Sequence, residues 1–328
     1  MIIDADLKAW LTDRAAHRRC DADTHAFGDE WGATAPHRDF DAAMAALPRD
    51  ASAEAVTAAA IALLSDDGWL DSLVARLAGA MRGSQWFEPP FRALHTDIHT
   101  GLLVYEDSHL SIAAGASRLT ALALRKQAGR GKGSVNFTGQ ISILKFVKAG
   151  GVRMAFWECD PIGPEFSGAS AGQCRPAGTR AIADGEIVAV DGRRESFVFE
   201  HAAANFVVIQ ANVKTGQAPV SAEYDCGSRG FIGCSAVDEG DCRIQMVATL
   251  ARTLGHEEAF AAIAGFLDHP SFFVRWHAMK ELLGIDVAAA WPHLKRMAIR
   301  DPHPEPRAAA RLVLDRIAAA PVLPRKAA

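Results

Sequence analysis

Residues 151–213 constrain the fold of this chain most strongly, and their clearest part is 184–213. Two runs rich in Val, Ile and Phe, 186–190 and 196–213, flank the dipeptide of Asp191 and Gly192. β-branched and aromatic residues favour strands, and Asp-Gly is typical of tight turns. The stretch therefore predicts strands that bury at least one face, as in the core of a barrel or roll.

Short runs of the same kind continue on both sides of this stretch, between residues 101 and 250. Examples are LLVYE, SVNFTG, ISILKFV and VRMAFWE, and turns that contain glycine separate many of them. Many short strands joined by turns are typical of an antiparallel sandwich or barrel, whereas a parallel sheet would alternate strands with helices. The middle of the chain therefore predicts one antiparallel β-domain.

The first 90 residues place apolar side chains at helical spacing instead. This spacing predicts helices near residues 1–20, 40–47, 52–64 and 67–82. Residues 21–40 are rich in Asp, Gly and His without a clear period, and they predict a loop or linker.

After Arg243 the period of the apolar residues changes to about 3.6, which predicts helices in the rest of the chain. Within this part a motif recurs: an aspartate turn with a proline, an arginine in the next helix and a small residue. The two copies are Asp268, Pro270, Arg275 and Ala278, then Asp301, Pro302, Arg307 and Ala310. Such a recurrence is typical of stacked helical pairs.

This motif resembles HEAT repeats over roughly residues 254–318. In that family the aspartate and the arginine of the motif tie neighbouring repeats together. Pro306 departs from the first copy of the motif and predicts a late start of the last helix. Because so few units cannot bury a continuous face alone, we expect the array to pack against the β-domain or a partner.

The segment after Gly151 resembles the first signature of the cupin family, in which two histidines and a glutamate bind a metal ion. Aligned on Gly151, Trp157 and Cys159 stand where the two histidines belong, and Glu165 falls near the position of the glutamate. The second signature resembles the stretch that ends at Ser196, which stands where that signature has a histidine. Three of the four ligand positions are therefore changed.

Tryptophan cannot ligate a metal, so the resemblance implies a cupin-like barrel, over roughly residues 100–215, without its usual metal site. Such a barrel still offers an interior for a small molecule or peptide. The candidate ligand-binding residues are Trp157, Cys159, Glu165, Ser196, Phe197 and Phe199. The acidic neighbours of Cys159 raise the pKa of its thiol, which argues against a nucleophile at this position.

An alternative metal site lies at the entry to the β-domain. His95 and Asp97 form an HxD motif of the kind that non-haem iron oxygenases use with a distant histidine, here His201. In the other interpretation these side chains are hydrogen-bonded parts of a surface segment. If the chain is a binding protein, we expect no cofactor. If it is an oxygenase, we expect iron.

The neighbouring residues Arg275, Trp276 and His277 suit a protein partner, because arginine and tryptophan bury much area while keeping a polar end. Together with Arg307 they are the candidate partner-binding residues. The competing interpretation places Trp276 in the core and Arg275 in the repeat motif. The charges of this region are mixed in sign, which does not favour nucleic acid as the partner.

The chain of 328 residues carries a net charge of -4, and 49% of its residues are hydrophobic, which suits a globular protein with sizeable cores. No apolar run is long enough to span a bilayer, and the first residues lack the basic flank and apolar centre of a signal peptide. These features predict a cytoplasmic protein without membrane insertion. The six dispersed cysteines predict reduced thiols.

Together these patterns predict an α+β protein. It comprises a helical N-terminal region (1–90), an antiparallel cupin-like β-barrel or roll (91–242) and a region of HEAT-like helical hairpins (243–328). Segments such as FTGQISILKFVKAGG and DPHPEPRAAA also resemble an uncharacterised bacterial family that joins these parts. We expect a non-catalytic binding or scaffold protein whose barrel holds a small molecule or peptide and whose repeats bind a protein; the alternative is the iron-dependent oxygenase. The oligomeric state is left open.

Overall fold

The computed structural model describes residues 5–95, 99–118 and 133–319. Helices come first in the chain, an antiparallel β-region follows, and a second group of helices comes last. The predicted α+β class is thus confirmed.

The N-terminal helices begin at capping residues that the sequence supplies. Asp13, Thr34 and Ser52 have extended backbone conformations, and their side-chain oxygens accept N–H groups in the first turns of the helices that they precede. The helices are α1 (Ala5–Thr12), α2 (Arg14–Gly32), α3 (Ala35–Ala45), α4 (Ala53–Ser65) and α5 (Gly68–Gly83).

The loop predicted for residues 21–40 is wrong, because α2 and most of α3 occupy that segment. Phe27 and Trp31 lie one helical turn apart on the buried side of α2, and Phe40 and Met44 do the same on α3. These few apolar positions stand among Asp, His and Gly, so the period is sparse in the sequence. Packing of the aromatic rings against the rest of the core stabilises the helices despite this composition.

The β-region consists of strands paired in antiparallel fashion in three sheets. One sheet has the order β1-β2-β3-β10-β5-β8, and the two smaller sheets have the orders β12-β11-β4 and β7-β6-β9. The strands are β1 (Arg92–His95), β2 (His99–Glu106), β3 (Leu110–Ser117), β4 (Ser134–Phe137), β5 (Ile141–Lys148), β6 (Arg153–Glu158), β7 (Arg175–Ala181), β8 (Ile187–Asp191), β9 (Glu195–His201), β10 (Phe206–Val213), β11 (Val220–Asp225) and β12 (Phe231–Ala236).

The turn at Asp191 and Gly192 is a corner between two sheets rather than the turn of a hairpin. Strand β8 pairs with β5 in the large sheet, whereas β9 pairs with β6 in a smaller one. The Gly192 N–H donates to the carbonyl of Gln140 at 2.9 Å. A Cβ at this position would collide with Thr138 and Gln140, so glycine is required by the close approach of the two segments.

The large sheet separates two apolar cores. On one side of β5, Ile141 and Ile143 belong to a cluster that includes the aromatic residues of the N-terminal helices. On the other side, Leu144 and Phe146 pack in the interior between the sheets, together with Met154. Alternation along the strand thus places successive side chains in different cores.

The C-terminal helices are α6 (Glu239–Thr253), α7 (Phe260–Ala264), α8 (Phe272–Ile285), α9 (Val287–Arg300) and α10 (Pro304–Ala319), with short 3₁₀ turns before and after α7. The predicted late start of the last helix is wrong, because α10 begins at Pro304. Pro306 fits there since N–H groups in the first turn of a helix have no intrahelical partner.

The arginines of the repeat motif bind the turns that precede them. Arg275 donates from Nη1 to the carbonyls of His269 and Pro270 at 2.7 and 2.9 Å. Arg307 repeats this geometry on the carbonyls of Asp301 and Pro302, at 2.5 and 2.9 Å. Each arginine therefore fixes the entry of its own helix.

Arg275 also connects the two copies of the motif. Its Nε and Nη2 donate to the two carboxylate oxygens of Asp301 at 2.8 and 2.7 Å, and the pair is almost fully buried. Asp268, the aspartate of the first copy, instead accepts from Arg296 at 3.1 Å near the surface. The pair of Arg275 from the first copy and Asp301 from the second therefore links the neighbouring repeats.

The repeats pack against the β-region. Phe272, at the start of α8, belongs to the cluster formed by Phe137, Tyr224 and other interior residues of the small sheets. Nearby, the backbone N–H of Gly168 donates to the Glu305 carboxylate at 3.2 Å. The β-region therefore covers one side of the short array.

The buried pair gives a stability prediction with an internal control. We expect Asp301→Ala to lower the free energy of unfolding by about 3–5 kcal/mol, because it leaves the Arg275 guanidinium buried without its carboxylate. Asp268→Ala removes a mostly exposed partner and should cost less than about 1 kcal/mol. Urea denaturation of both variants measures the difference; equal losses would contradict the assigned role of Arg275 and Asp301.

Candidate functional site

Two of the predicted ligand-binding residues face each other across paired strands. Trp157 on β6 is the register partner of Ser196 on β9. The Ser196 hydroxyl is buried and donates to the carbonyl of Asn136 at 2.5 Å. Trp157 is half-buried and packs with Cys159 in the cluster that also receives Phe272 from the repeats.

Two further candidates, Phe197 and Phe199, pack against the other interior cluster. Their ring centroids lie 5.3 Å apart in an edge-to-face arrangement. Phe156 joins them, and the guanidinium of Arg180 lies 5.4 Å from its ring centroid. All three phenylalanines are only partly buried.

Glu165 lies elsewhere, on an exposed loop after β6 that faces the repeats. Four of the six candidates therefore belong to two apolar clusters, Ser196 is a buried polar residue paired with Trp157, and Glu165 lies on this loop. Binding of a ligand by these residues stays a prediction.

The buried thiols are not activated. Burial raises the pKa of Cys159 to about 12, and the nearby Asp160 carboxylate adds to the increase. The direction matches the expectation from the sequence, although burial is the larger cause. Burial also raises the pKa values of Cys174 and Cys226. These thiols are therefore protonated at neutral pH, which makes them poor nucleophiles.

The alternative iron site is only partly described. His95 ends β1, at the edge of the large sheet, and its Nδ1 lies 3.3 Å from the hydroxyl of Thr100. His201 ends β9 in a small sheet, and Asp97 lies outside the described residues. Within the described ranges, no group of three His, Cys, Asp or Glu side chains is suited to hold a metal ion. The site that includes Asp97 stays a prediction, which iron analysis of untagged protein and of His201→Ala tests.

A serine–histidine contact that the sequence did not reveal joins β2 and β3. The Ser117 hydroxyl lies 2.5 Å from Nδ1 of His99, which is its register partner in the sheet. The two residues meet only because β2 and β3 pair in this register, so no local sequence motif predicts the contact. The side chain of Ser117 is buried, so this hydroxyl is not presented to a substrate.

The candidate partner-binding residues of the repeats make contacts within the chain. Arg275 is buried in its pair with Asp301, and Trp276 packs against the core of the repeats. His277 Nε2 lies 2.8 Å from the Thr249 hydroxyl and 3.3 Å from the Glu281 carboxylate, which links α6 to α8. Arg307, as described above, fixes the start of α10.

A surface that the sequence analysis missed lies on α6. Met246, Val247 and Leu250 of α6, together with Leu254 directly after its last residue, are exposed to 65%, 61%, 53% and 63%. Their spacing places them on one side of the helix, and we call this surface the α6 stripe. Ala248, on the opposite side, is buried in the core of the repeats. The available signal in the sequence was the helical spacing of these four positions. It places them on one face, and Ala248 on the face that packs inward.

The C-terminal region matches a known family. A sequence profile described as HEAT repeats matches residues 237–315, which run from just before α6 into α10. This match supports the repeat interpretation for that region of the chain. No curated protein sequence matches the chain at a significant level.

Solved structures similar to the chain include cupin proteins. A cupin domain from Bordetella pertussis Tohama I is 10% identical with a TM-score of 0.22, over 37% of this chain and 99% of that one. Ectoine synthase from P. lautus is 12% identical (TM-score 0.22; 38% and 71%). A sugar phosphate isomerase from a cupin superfamily, from Silicibacter pomeroyi DSS-3, is 11% identical (TM-score 0.24; 44% and 79%). Separately, no helix of the described chain has the length and hydropathy needed to cross a membrane.

His303 stands at the contact between the β-region and the repeats. Its ring stacks on Phe272 with the centroids 3.8 Å apart, and its Nδ1 accepts the N–H of Glu305 at 3.2 Å in the first turn of α10. Since Nδ1 accepts, the ring proton lies on Nε2, which is buried and has no acceptor among the described residues. Burial lowers the pKa of His303, although the carboxylates of Glu305 and Glu165 oppose this effect.

This geometry predicts a pH-dependent stability. Because the folded-state pKa of His303 lies below the ordinary value of 6.5, its stabilising contribution is complete above that pH and declines as the pH falls toward the folded-state pKa. Burial lowers the pKa of His277 as well, so both residues contribute in the same direction. We expect the free energy of unfolding to fall between about pH 7.5 and about pH 5.5.

His303→Asn keeps a capping acceptor but cannot titrate in this range. Urea denaturation at both pH values should therefore show a smaller loss for this variant than for the wild type. The same loss in both proteins would rule out His303 as a source of the pH dependence.

Proposed function

We propose that this protein is a non-catalytic scaffold whose HEAT-like repeats bind a protein partner through the α6 stripe. The observation that carries the proposal is the exposure of four large apolar side chains, three on one face of α6 and one directly after its end. Soluble proteins seldom expose such a patch without a binding role, whereas single exposed apolar residues are common.

Comparison with the other exposed apolar residues of the repeats supports the choice of this face. Val287 and Ile299 on α9 are 50% and 73% exposed, and Leu312 and Ile317 on α10 are also exposed. Leu312 and Ile317 are five positions apart in a helix, so their side chains point in different directions. Within the described chain, none of these residues belongs to a row of exposed apolar side chains on one helix face. They are isolated exposed residues.

The position of α6 in the array also favours this role. In stacked repeats each helical pair buries its apolar face against its neighbours. α6 is the first helix of the region, and its inner side packs against α8, partly through the Thr249 and Glu281 contacts. The ion pair between Glu239 and Arg243 lies at the N-terminal end of the stripe. A partner helix or strand with an apolar face and a polar edge would fit this surface.

We assign the barrel a supporting role. The interior side chains of its described strands pack into two apolar clusters, and one of these receives Phe272 from the repeats. Ser196 and Cys159 are buried within these contacts, and the Cys159 thiol has a raised pKa. These observations support a domain that positions the repeats, and they do not favour a second candidate function.

Capture experiments with the tagged full chain in a native-host lysate test the proposal. We expect Val247→Glu/Leu250→Glu to reduce capture of a specific partner by about tenfold or more, because charge in an apolar interface core is costly. The matched control is Ile299→Glu, which introduces the same charge at an exposed apolar position outside the stripe. It should capture the partner like the wild type.

Two measurements make the result decisive. Circular dichroism should show that both variants fold, since exposed substitutions alter stability little. The affinity of the purified partner is then measured by titration calorimetry with each protein. Equal affinities for the wild type and the Val247→Glu/Leu250→Glu variant would refute the proposed surface.

A further inference from the structure

A cleft lies between the two copies of the repeat motif, and we call it the inter-repeat cleft. Its volume is about 400 Å³, and it opens between the turn around residues 267–270 and the second half of α9. This volume falls in the range of pockets that hold small molecules. The cleft shares no lining residue with the α6 stripe, so it does not depend on the proposed function.

Part of the cleft is apolar or electrically neutral. Leu267 and Met297, both largely buried, contribute side chains to its lining. Arg275 and Asp301 also line it, but they neutralise each other in the buried bidentate pair. This part of the cleft therefore suits an uncharged, apolar portion of a ligand.

The remaining lining is basic. Arg296 and Arg300 lie one helical turn apart on α9, and His293 precedes them on the same helix. Arg296 has Asp268 as a mostly exposed partner, whereas no carboxylate pairs with Arg300 among the described residues. The rim thus presents two guanidinium groups and one carboxylate, which leaves a net positive charge.

Several carbonyls at the negative end of the α9 dipole, beside this charge, accept hydrogen bonds. The carbonyl of Ala298 accepts from Arg311 at 3.0 Å, and the carbonyl of Asp301 accepts from Arg307 at 2.5 Å. The Met297 carbonyl accepts the N–H of Asp301. Because two of these donors are arginines, they offset part of the negative potential of the helix end near Arg300.

We propose that the inter-repeat cleft binds a small molecule that carries an oxyanion group, phosphate or carboxylate, on an apolar body. The oxyanion is held by Arg296 and Arg300, whose planar guanidinium groups match phosphate and carboxylate geometry. The apolar body lies against Leu267 and Met297. No bond is formed or broken in this proposal, which concerns binding alone.

Titration calorimetry of the full chain with four probes tests the site. Phenyl phosphate and benzoate carry both features, phenol has only the apolar body, and inorganic phosphate has only the anion. We expect at least one of the first two to bind with a dissociation constant of about 1 mM or tighter, and the other two to bind about tenfold more weakly. The stronger of phenyl phosphate and benzoate identifies the preferred oxyanion.

Arg296→Gln/Arg300→Gln should weaken binding of the stronger probe by about tenfold or more, because it removes the charged donors. The matched control is Arg316→Gln, an exposed arginine on α10 that does not line the cleft and should bind like the wild type. Circular dichroism verifies the fold of both variants. Absence of binding at about 10 mM, equal binding of phenol, or unchanged affinity of the Arg296→Gln/Arg300→Gln variant would each overturn the proposal.

Discussion

Strand β5 is the element on which both cores depend, because its first six residues are buried on both faces. Alternate side chains enter the helix-facing cluster and the interior between the sheets. On the helix-facing side stands Lys145, whose ammonium donates to the Leu64 carbonyl at the end of α4 and to Asp67 before α5. A buried ammonium without such partners would be very costly, so this contact fixes the connection of α4 and α5 on the sheet.

Much of the fold could be predicted from the sequence where local pattern and packing agree. The strands rich in Val, Ile and Phe and the C-terminal helices appear where the periodicity places them. The helix through residues 21–32 could not be recognised, because its stability comes from the burial of Phe27 and Trp31 by distant segments. The change from one sheet to another at Gly192 could not be predicted either, because the partners of β8 and β9 lie far away in the sequence.

The candidate site was less predictable than the fold. Signature matching singled out Trp157 and Ser196 as candidate ligand-binding residues, but a motif indicates neither that they are register partners nor whether a side chain lies in open space or in a packed core. Likewise, residue type made Arg275 a candidate partner-binding residue, whereas its buried pair with Asp301 of the next repeat supports the competing interpretation as the repeat arginine. The α6 stripe and the inter-repeat cleft could not be predicted in this way. Both depend on how the helices pack together and on which faces they leave exposed.

The contact between the β-region and the repeats explains why so short an array can be stable. A solenoid of few units leaves two outer faces, and each requires cover or polar character. Here Phe272 enters the core of the small sheets, and Glu305 accepts the N–H of Gly168, so the β-region performs the task of a capping repeat on one side. α6 receives no comparable cover from the described chain along Met246, Val247 and Leu250. Such a face adds nothing to the stability of the isolated chain, and this is the physical basis of the binding role proposed above.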